Sequence, residues 1–392
     1  MQAEPKLPQP DASSAAHSER VAAYVRDRIA EAGGAISFAE YMHHVLYAPG
    51  LGYYSAGTAK FGAGGDFVTA PEVSPLFGRV LARQCAEAMS VTGTAEILEF
   101  GAGTGRLAVD LVGKLEELHA LPARYRIVEV SAELRARQRE LIETELPGHT
   151  ARVEWLDGMP ESYSGIVVAN EVLDAMPVER FVRRADGIAQ IRVTDAGGRF
   201  ECVEGTAPDF LAAAVMAIEA ELGRSLPAGY VSEVNTAAPA WIADLSDCLD
   251  EGCIFVFDYG VSRREYYALE RSGGWLRCHY RHRVHDDPLL FPGIQDLTAW
   301  VDFTGVAAAA VDKGLAVAGY VSQAQFLLAG GLAAELAGMA ELPTDAQLEL
   351  SRQVKLLTLP SEMGENFKCL GLSRDAAART SAFGMTDRTV TL

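Results

Sequence analysis

Apolar residues recur with helical spacing through the first part of the chain, as at Val21, Val25 and Ile29. Ser37, with Glu40 three residues later, has the sequence pattern of a capping box at the start of a second helix. Ser74-Pro75 predicts the start of another helix. Residues 18–93 are therefore expected to form an N-terminal helical cap, with a glycine-rich loop between the second and third helices.

From Thr94 onwards the pattern changes to short apolar strands that alternate with helices. The predicted strands are 97–100, 125–130, 152–156, 166–169, 254–258, 315–320 and 367–372. Such alternation is typical of an α/β protein with a parallel, doubly wound sheet.

Two segments interrupt this alternation. Asp186-Gly187 and Gly197-Gly198 predict antiparallel hairpins, which we interpret as an insertion at about 178–235. The segment 259–295 is rich in Arg, His, Tyr and Gly, and it is expected to be an irregular insertion that covers an active site. The main domain is thus predicted over 94–376. A disordered lead at 1–17 and the cap at 18–93 precede it, and a tail at 377–392 follows it.

Composition and charge narrow the classes of partner. The chain has 34 Lys and Arg against 53 Asp and Glu, and this net charge of −19 repels phosphate backbones and anionic membranes. No run of about 18 uncharged apolar residues is present, so no membrane insertion is expected. The six cysteines are scattered and contain no CxxC pair, as in proteins with reduced thiols. We expect a bacterial cytoplasmic protein without nucleic-acid partners, and homo-oligomer formation remains open.

The most specific chemical signal is the segment Glu99 to Gly105, between a predicted strand and a predicted helix. Gly101, Gly103 and Gly105 allow a tight turn and a close approach of the backbone to a ligand. The following helix N-terminus directs backbone donors at that ligand. Glu129 ends the next strand, where a carboxylate is placed to bind a pair of ribose hydroxyls.

Two ligands are compatible with glycines at this spacing. A dinucleotide loop has a glycine where this chain has Arg106, whereas Glu-x-Gly-x-Gly-x-Gly suits S-adenosyl-L-methionine. The second ligand lacks a pyrophosphate and carries a cationic sulfonium, so the negative charge of Glu99 would favour it. S-adenosyl-L-methionine is therefore the expected cofactor. A dinucleotide enzyme and a purely structural glycine turn are the alternatives.

Further polar residues follow the third and fourth predicted strands, at the edge where open parallel sheets place reacting groups. Asp157 is placed to accept a hydrogen bond from an adenine amino group, or else it only forms an Asp-Gly turn. Asn170 and Glu171 follow the fourth strand, and Asp174 would share a face with Glu171 if a helical turn followed. Solvated surface carboxylates are the alternative for this pair.

A cluster of potential metal ligands lies near residue 280. It contains Cys278, His279, His282, His285 and Asp286. Its spacing does not match the paired ligands of structural zinc sites, so no metal is expected. Ion pairs with acidic residues, or binding of substrate carboxylates, are the expected roles of its cationic side chains and of the neighbouring arginines.

Several long stretches resemble a known family in the same order along the chain. These are Gly65 to Ser74, Glu99 to Gly105, Asn170 to Ala175, Arg277 to Pro288, Gln295 to Thr298 and Ser322 to Phe326. The family is the mitochondrial dysfunction protein A family of class I methyltransferases, which includes the complex I assembly factor that methylates an arginine of a catalytic-core subunit. The resemblance implies a Rossmann-like seven-stranded methyltransferase sheet. Together with the late order of elements it predicts strand order 3-2-1-4-5-7-6.

For function, the resemblance implies methylation of protein arginine, with a subunit of the respiratory NADH dehydrogenase as the expected acceptor. A guanidinium has a pKa above about 12, so carboxylates must orient it and accept its proton. Glu171 and Asp174 are the predicted catalytic residues, with Glu72 or Asp66 of the glycine-rich loop closing over the site. Asn170 is expected to hold the methionine end of the cofactor. A noncatalytic cofactor-binding assembly factor and a methyltransferase with another acceptor remain alternatives.

Overall fold

The structure is a computed structural model that describes residues 7–56, 69–375 and 378–392. These residues group into two compact units. The sheet unit contains 69–173, 238–262, 301–375 and 378–392, and the N-terminal unit contains 7–56, 174–237 and 263–300. Each unit has its own cluster of buried apolar side chains.

In the residues that the structure describes, an eight-stranded sheet forms the centre of the sheet unit. Its main strands are β1 (Glu96–Phe100), β2 (Arg124–Val128), β3 (Val153–Leu156), β4 (Tyr163–Asn170), β5 (Leu249–Val261), β6 (Ala316–Ser322) and β7 (Phe367–Ser373). Their order is β3-β2-β1-β4-β5-β7-β6, and the short strand Val301–Asp302 pairs with the end of β5. Strand β7 is antiparallel to both of its neighbours, while β1 to β5 pair in parallel. This is the strand order expected from the sequence.

Strands β4 and β5 are continuous apolar runs because helices and neighbouring strands bury both of their faces. The four residues from Ile166 to Ala169 are fully buried. The α-helices of this unit are Ala70–Val73, Pro75–Thr92, Arg106–Glu117, Ala132–Glu145, Phe303–Asp312, Gln323–Ala329, Leu332–Glu335, Thr344–Thr358 and Met363–Asn366. The helix Ala237–Cys248 also belongs to it, apart from its first residue. Short 3-10 helices lie at Thr150–Arg152, Met339–Glu341, Ser381–Phe383 and Thr389–Thr391.

The N-terminal unit combines helices with two small antiparallel sheets. Its α-helices are Ala12–Glu31, Phe38–Tyr47, Asp209–Leu222 and Arg263–Tyr266, and it contains the 3-10 helix Leu269–Arg271. The larger sheet runs Ala35–Ser37, Gly187–Asp195, Glu179–Arg184 and Val231–Val234, and Phe200–Thr206 also pairs with Gly187–Asp195. The smaller sheet runs Arg283–His285, Leu276–Tyr280 and Asp296–Ala299.

The first helix begins at Ala12, inside the segment predicted as a disordered lead. Asp11 is its N-cap, and the Asp11 carboxylate accepts a hydrogen bond from the Ser14 amide at 2.9 Å. The expectation of a lead through residue 17 is therefore wrong for residues 12–17. The low apolar content of this stretch concealed the cap that starts the helix.

The predicted helical cap at 18–93 divides between the two units. The helix Pro75–Thr92 belongs to the sheet unit because Phe77 and Val80 lie in that unit's buried cluster. The N-terminal helices instead group with both predicted insertions, since Ala35–Ser37 pairs with Gly187–Asp195. Pairing between strands so distant in sequence is invisible to local pattern.

Two segments are more regular than predicted. The segment 259–295 contains a hairpin whose turn residues, Arg281 and His282, have φ of 48° and 57°. Without glycine or asparagine at those positions, the usual turn signal is missing. In the predicted tail at 377–392, Phe383 is buried over Gly319, where an added Cβ would lie 2.3 Å from the ring. The tail is thus held against β6.

Within the described ranges, no helix combines the length and the apolar character needed to cross a membrane.

Candidate cofactor and acceptor site

The loop between β1 and the helix Arg106–Glu117 has the backbone shape that its glycines predict. Gly101, Gly103 and Gly105 have φ of 65°, 53° and 90°, a region that other residues rarely occupy. A Cβ added at Gly105 would lie 3.3 Å from Cγ of Gln138, whereas one added at Gly103 would meet nothing within 4 Å. The loop therefore packs closely at Gly105 and leaves open space at Gly103, where a ligand can approach the backbone.

Two carboxylates predicted to bind the cofactor are buried at this loop. Glu99 is 2% exposed, its Oε2 accepts a hydrogen bond from the Tyr125 hydroxyl at 2.7 Å, and burial raises its pKa to about 7. Glu129 accepts hydrogen bonds from the Ser131 amide at 2.9 Å and from Nε2 of Gln138 at 3.2 Å, and burial raises its pKa. The hydrogen bonds fix the orientation of both carboxylates.

Gln138 is a site residue that sequence reasoning missed. It is fully buried, and its Nε2 also donates to the carbonyl oxygen of Gly103 at 2.9 Å. Its Oε1 accepts a hydrogen bond from the indole of Trp155 at 2.9 Å. The sequence did contain a signal for this residue: Gln138 lies four positions after Leu134 and four before Ile142, so it is a polar residue on the buried face of its helix. Gln138 connects the glycine loop to Glu129.

Two exposed side chains lie where the ends of β2 and β3 meet the solvent. Val130 directly follows Glu129 and is 78% exposed. The side chain of Asp157 is 98% exposed and forms an ion pair with Nη1 of Arg135 at 2.7 Å. An exposed apolar side chain is suited to contact the ring of an adenine, and an exposed acceptor is suited to its amino group. The adenine contact of Asp157 stays a prediction, and we add Val130 as a second predicted contact.

Asn170 and Glu171 leave β4 beside the glycine loop. Nδ2 of Asn170 donates to Oε1 of Glu171 at 3.1 Å, and the buried Oδ1 of Asn170 has no hydrogen-bond partner among the described residues. The side chain of Val172 packs on Gly101, since a Cβ added there would lie 3.3 Å from its Cγ2. A carboxylate and an unsatisfied amide oxygen are thus placed next to the loop predicted to bind the cofactor.

Of the predicted catalytic carboxylates, Glu171 and Glu72 belong to the sheet unit and Asp174 belongs to the N-terminal unit. No helix follows Glu171, which has φ of 55°, so the condition under which it would share a helical face with Asp174 is not met. Asp174 is buried in the N-terminal unit, where its carbonyl oxygen accepts a hydrogen bond from the Ala299 amide at 2.9 Å. Glu72 accepts a hydrogen bond from the Thr104 hydroxyl in the glycine loop. Asp66 lies outside the described residues.

The potential metal ligands near residue 280 are dispersed along a hairpin. Cys278 is buried, and burial raises the pKa of its thiol. Burial lowers the pKa of His279 to about 4, whereas His282 is exposed at the turn. In the ranges that the structure describes, no three His, Cys, Asp or Glu side chains are grouped to hold a metal ion.

The sheet and the site together define a class I methyltransferase that uses S-adenosyl-L-methionine. The antiparallel β7 between β5 and β6, the glycine loop after β1 and the carboxylate that ends β2 are its features. The residues fit this cofactor because open space lies beside Gly103 and the buried Oδ1 of Asn170 is available to a donor.

Comparisons with known proteins agree with this class. Residues 80–321 match the family described as S-adenosyl-L-methionine-dependent methyltransferase, and the chain belongs to that family. The chain is 30% identical to the protein arginine methyltransferase NDUFAF7 homolog of Drosophila melanogaster, over 94% of this chain and 89% of that protein. It is 28% identical to protein arginine methyltransferase NDUFAF7 of Danio rerio, over 86% of this chain and 83% of that protein.

A solved structure is similar over the full chain. It is a protein from Burkholderia thailandensis bound to S-adenosyl-homocysteine, with 44% identity and a TM-score of 0.91, and the match covers 99% of this chain and 100% of that one. The predicted family resemblance, α/β fold, cofactor and enzyme class are confirmed.

Proposed function

We propose that the chain methylates arginine side chains of a protein, and that a subunit of the respiratory NADH dehydrogenase is the acceptor. The observation that carries this proposal is the position of Glu171, a carboxylate on a strand-end loop whose Val172 packs against Gly101. A cationic acceptor bound to Glu171 would lie beside the loop predicted to bind the cofactor.

Glu171 has two tasks in this proposal. An arginine guanidinium is protonated at neutral pH, since its pKa is above about 12. A carboxylate that binds two of its N–H groups would concentrate the positive charge there and leave the third nitrogen more nucleophilic. When the new N–C bond forms, the bond between the methyl group and sulfur breaks and S-adenosyl-homocysteine is left; the methylated guanidinium then loses one proton, which Glu171 would accept from an N–H group that it binds and pass to solvent.

The cofactor supplies a methyl group that its sulfonium already activates, so the protein's contribution is mainly orientation and exclusion of water. Oδ1 of Asn170 is available for the methionine amino group, which would fix the end of the cofactor nearest Glu171. Glu129, which Gln138 orients, would hold the opposite end, toward the ribose.

Two further observations support an arginine acceptor. The relatives from zebrafish and fruit fly carry the name protein arginine methyltransferase, and each alignment covers more than four fifths of both chains. The net charge of −19 attracts a cationic protein segment over long range.

The direct test is transfer of a radiolabelled methyl group from S-adenosyl-L-methionine to a lysate of a strain that lacks the protein. Mass spectrometry of the labelled band and of its acid hydrolysate should identify an NADH dehydrogenase subunit and methylarginine. Methylated lysine, glutamine or a small molecule would exclude the arginine acceptor, and another labelled protein would exclude the NADH dehydrogenase subunit. Cofactor binding without any transfer would support the noncatalytic alternative.

Glu171→Gln tests the role of the carboxylate itself. The variant keeps the shape of the side chain but not its charge, so labelling should fall by a factor of about a hundred or more while S-adenosyl-homocysteine affinity changes little. Glu161→Gln is the matched control, because Glu161 is an exposed carboxylate between β3 and β4 in the same unit. It should label the lysate like the unmodified protein.

A further inference from the structure

Asp258 is a buried carboxylate near the carboxyl end of β5 that none of the preceding roles includes. It lies next to Phe257, which is in register with Asn170 at the end of β4. Fully buried carboxylates are rare without specific partners, because removal of the charge from water is costly.

The two oxygens of Asp258 accept hydrogen bonds from two different backbone amides. Oδ2 accepts from the Leu173 amide at 2.8 Å, and Oδ1 accepts from the Tyr259 amide at 2.9 Å. The first of these bonds crosses from β5 to the segment Asn170–Leu173, which we call the acceptor loop. Hydrogen bonds to an ionised carboxylate are stronger than those between neutral groups.

The acceptor loop has a conformation that needs such support. Glu171 has φ of 55°, in the left-handed region where a residue with a side chain is strained. The Glu171 amide donates to the carbonyl oxygen of Phe257 at 2.8 Å, so β5 holds the loop at Glu171 and again at Leu173. On its other side the loop contacts Gly101 through Val172.

We infer that Asp258 is a positioning residue that holds the acceptor loop, and with it Glu171, in the left-handed conformation required for methyl transfer. It acts through the backbone of Leu173. This inference deepens the proposed function and rests on the role given there to Glu171. It predicts that loss of Asp258 lowers the rate of transfer more than it weakens cofactor binding.

Asp258→Asn is the most conservative test, because asparagine has one acceptor oxygen for two amides. With radiolabelled S-adenosyl-L-methionine and the lysate described above, the maximal labelling rate should fall at least about tenfold, while the KM for the cofactor stays within about twofold. Hydrogen exchange at the Leu173 amide should become faster in the same variant. Unchanged labelling or unchanged exchange would overturn the inference.

Asp302→Asn is the chemically matched control. Asp302 is another carboxylate of the sheet unit that accepts a backbone amide, from Gly305 at 3.2 Å, at the start of the helix Phe303–Asp312. If it lowers the labelling rate as much as Asp258→Asn does, the effect is general destabilisation and the inference fails.

A double variant separates this inference from the proposed function. If Asp258 acts through Glu171, then Asp258→Asn should have little further effect in a Glu171→Gln background. Equal effects in both backgrounds would overturn the coupling. If Glu171→Gln alone labels normally, the role of Glu171 in the proposed function fails, whereas slow labelling and fast Leu173 exchange in Asp258→Asn would still support positioning of the loop.

Discussion

The carboxylate of Glu72 accepts a hydrogen bond from the hydroxyl of Thr104, between Gly103 and Gly105 of the glycine loop. Glu72 lies in the short helix Ala70–Val73, which directly follows the segment that the structure leaves undescribed. The contact places a predicted catalytic residue against the predicted cofactor loop. It suggests support of that loop rather than proton transfer.

Glu72→Gln replaces a carboxylate acceptor with a neutral amide oxygen, so the hydrogen bond from Thr104 should weaken and S-adenosyl-homocysteine binding should fall by up to about tenfold. Calorimetric titration measures this directly. Thr104→Val should cause a similar loss, and the double variant should bind no more weakly than either single one. Normal affinity with lost methyl transfer in Glu72→Gln would instead support the catalytic role predicted from the sequence.

Gly103→Ala should abolish detectable cofactor binding, because the added methyl group enters the open space beside the loop. Gly93→Ala is its control, since Gly93 has φ of 71°, also has open space around it, and ends a helix away from the loop. Both substitutions carry a left-handed backbone cost of about 1–2 kcal/mol. Thermal unfolding should show similar destabilisation, and equal cofactor affinity in the two variants would contradict the site.

Val130→Asp tests the predicted adenine contact. Val130 is largely exposed, so the substitution should leave the unfolding midpoint almost unchanged. Loss of apolar contact and an added negative charge should weaken S-adenosyl-homocysteine binding by about tenfold. If calorimetry shows the affinity of the unmodified protein, the adenine does not lie at Val130.

The raised pKa of Glu99 predicts a dependence of stability on pH. Between the ordinary value of 4.5 and the folded value of about 7, the folded protein binds a proton that the unfolded chain has lost. The free energy of unfolding should therefore fall as pH rises through this window and level off above it. Burial also raises the pKa values of Asp110 and Glu129, so these groups add to the slope.

Glu99→Gln should reduce that slope, because glutamine does not ionise but still accepts the hydrogen bond from Tyr125. Above pH 7 the variant should be more stable than the unmodified protein by on the order of 2 kcal/mol. Urea unfolding between pH 5 and 8 measures both quantities. An unchanged slope would mean that Glu99 ionises normally in the folded protein.

Glu335 is the buried acidic residue of an ion cluster between helices of the sheet unit. Its side chain is 1% exposed and pairs with Arg79 at 2.7 Å, Arg83 at 2.5 Å and Lys114 at 3.0 Å. Glu335→Gln should lower the free energy of unfolding by about 2 kcal/mol, since it removes a buried charge that three cations share, two of which keep an ion pair with Glu117.

The more exposed Glu117, which also pairs with Arg79 and Lys114, provides the control for this cluster. Glu117→Gln should cost less than about 1 kcal/mol. Equal losses in urea unfolding would show that burial does not set the strength of these pairs.

Local pattern was sufficient for most of the sheet unit and for one helix start in the N-terminal unit. The apolar runs of β4 and β5 define buried strands, and Ser37 with Glu40 forms the predicted capping box at the start of the helix Phe38–Tyr47. The glycine loop was also predicted from the sequence, because its backbone shape depends on residues within a few positions of one another. In each case the determining contacts are close in sequence.

Tertiary structure alone decided which side chains complete the site. Gln138 reaches Gly103, Glu72 reaches Thr104 and Asp258 reaches Leu173, and each pair is separated by more than 30 residues along the chain. No periodicity in the sequence relates such positions, since their meeting depends on the order in which the strands pair. The sequence by itself therefore determined the sheet, the cofactor loop and the class of enzyme, whereas the packing of β5 against β4 decided how Glu171 is held.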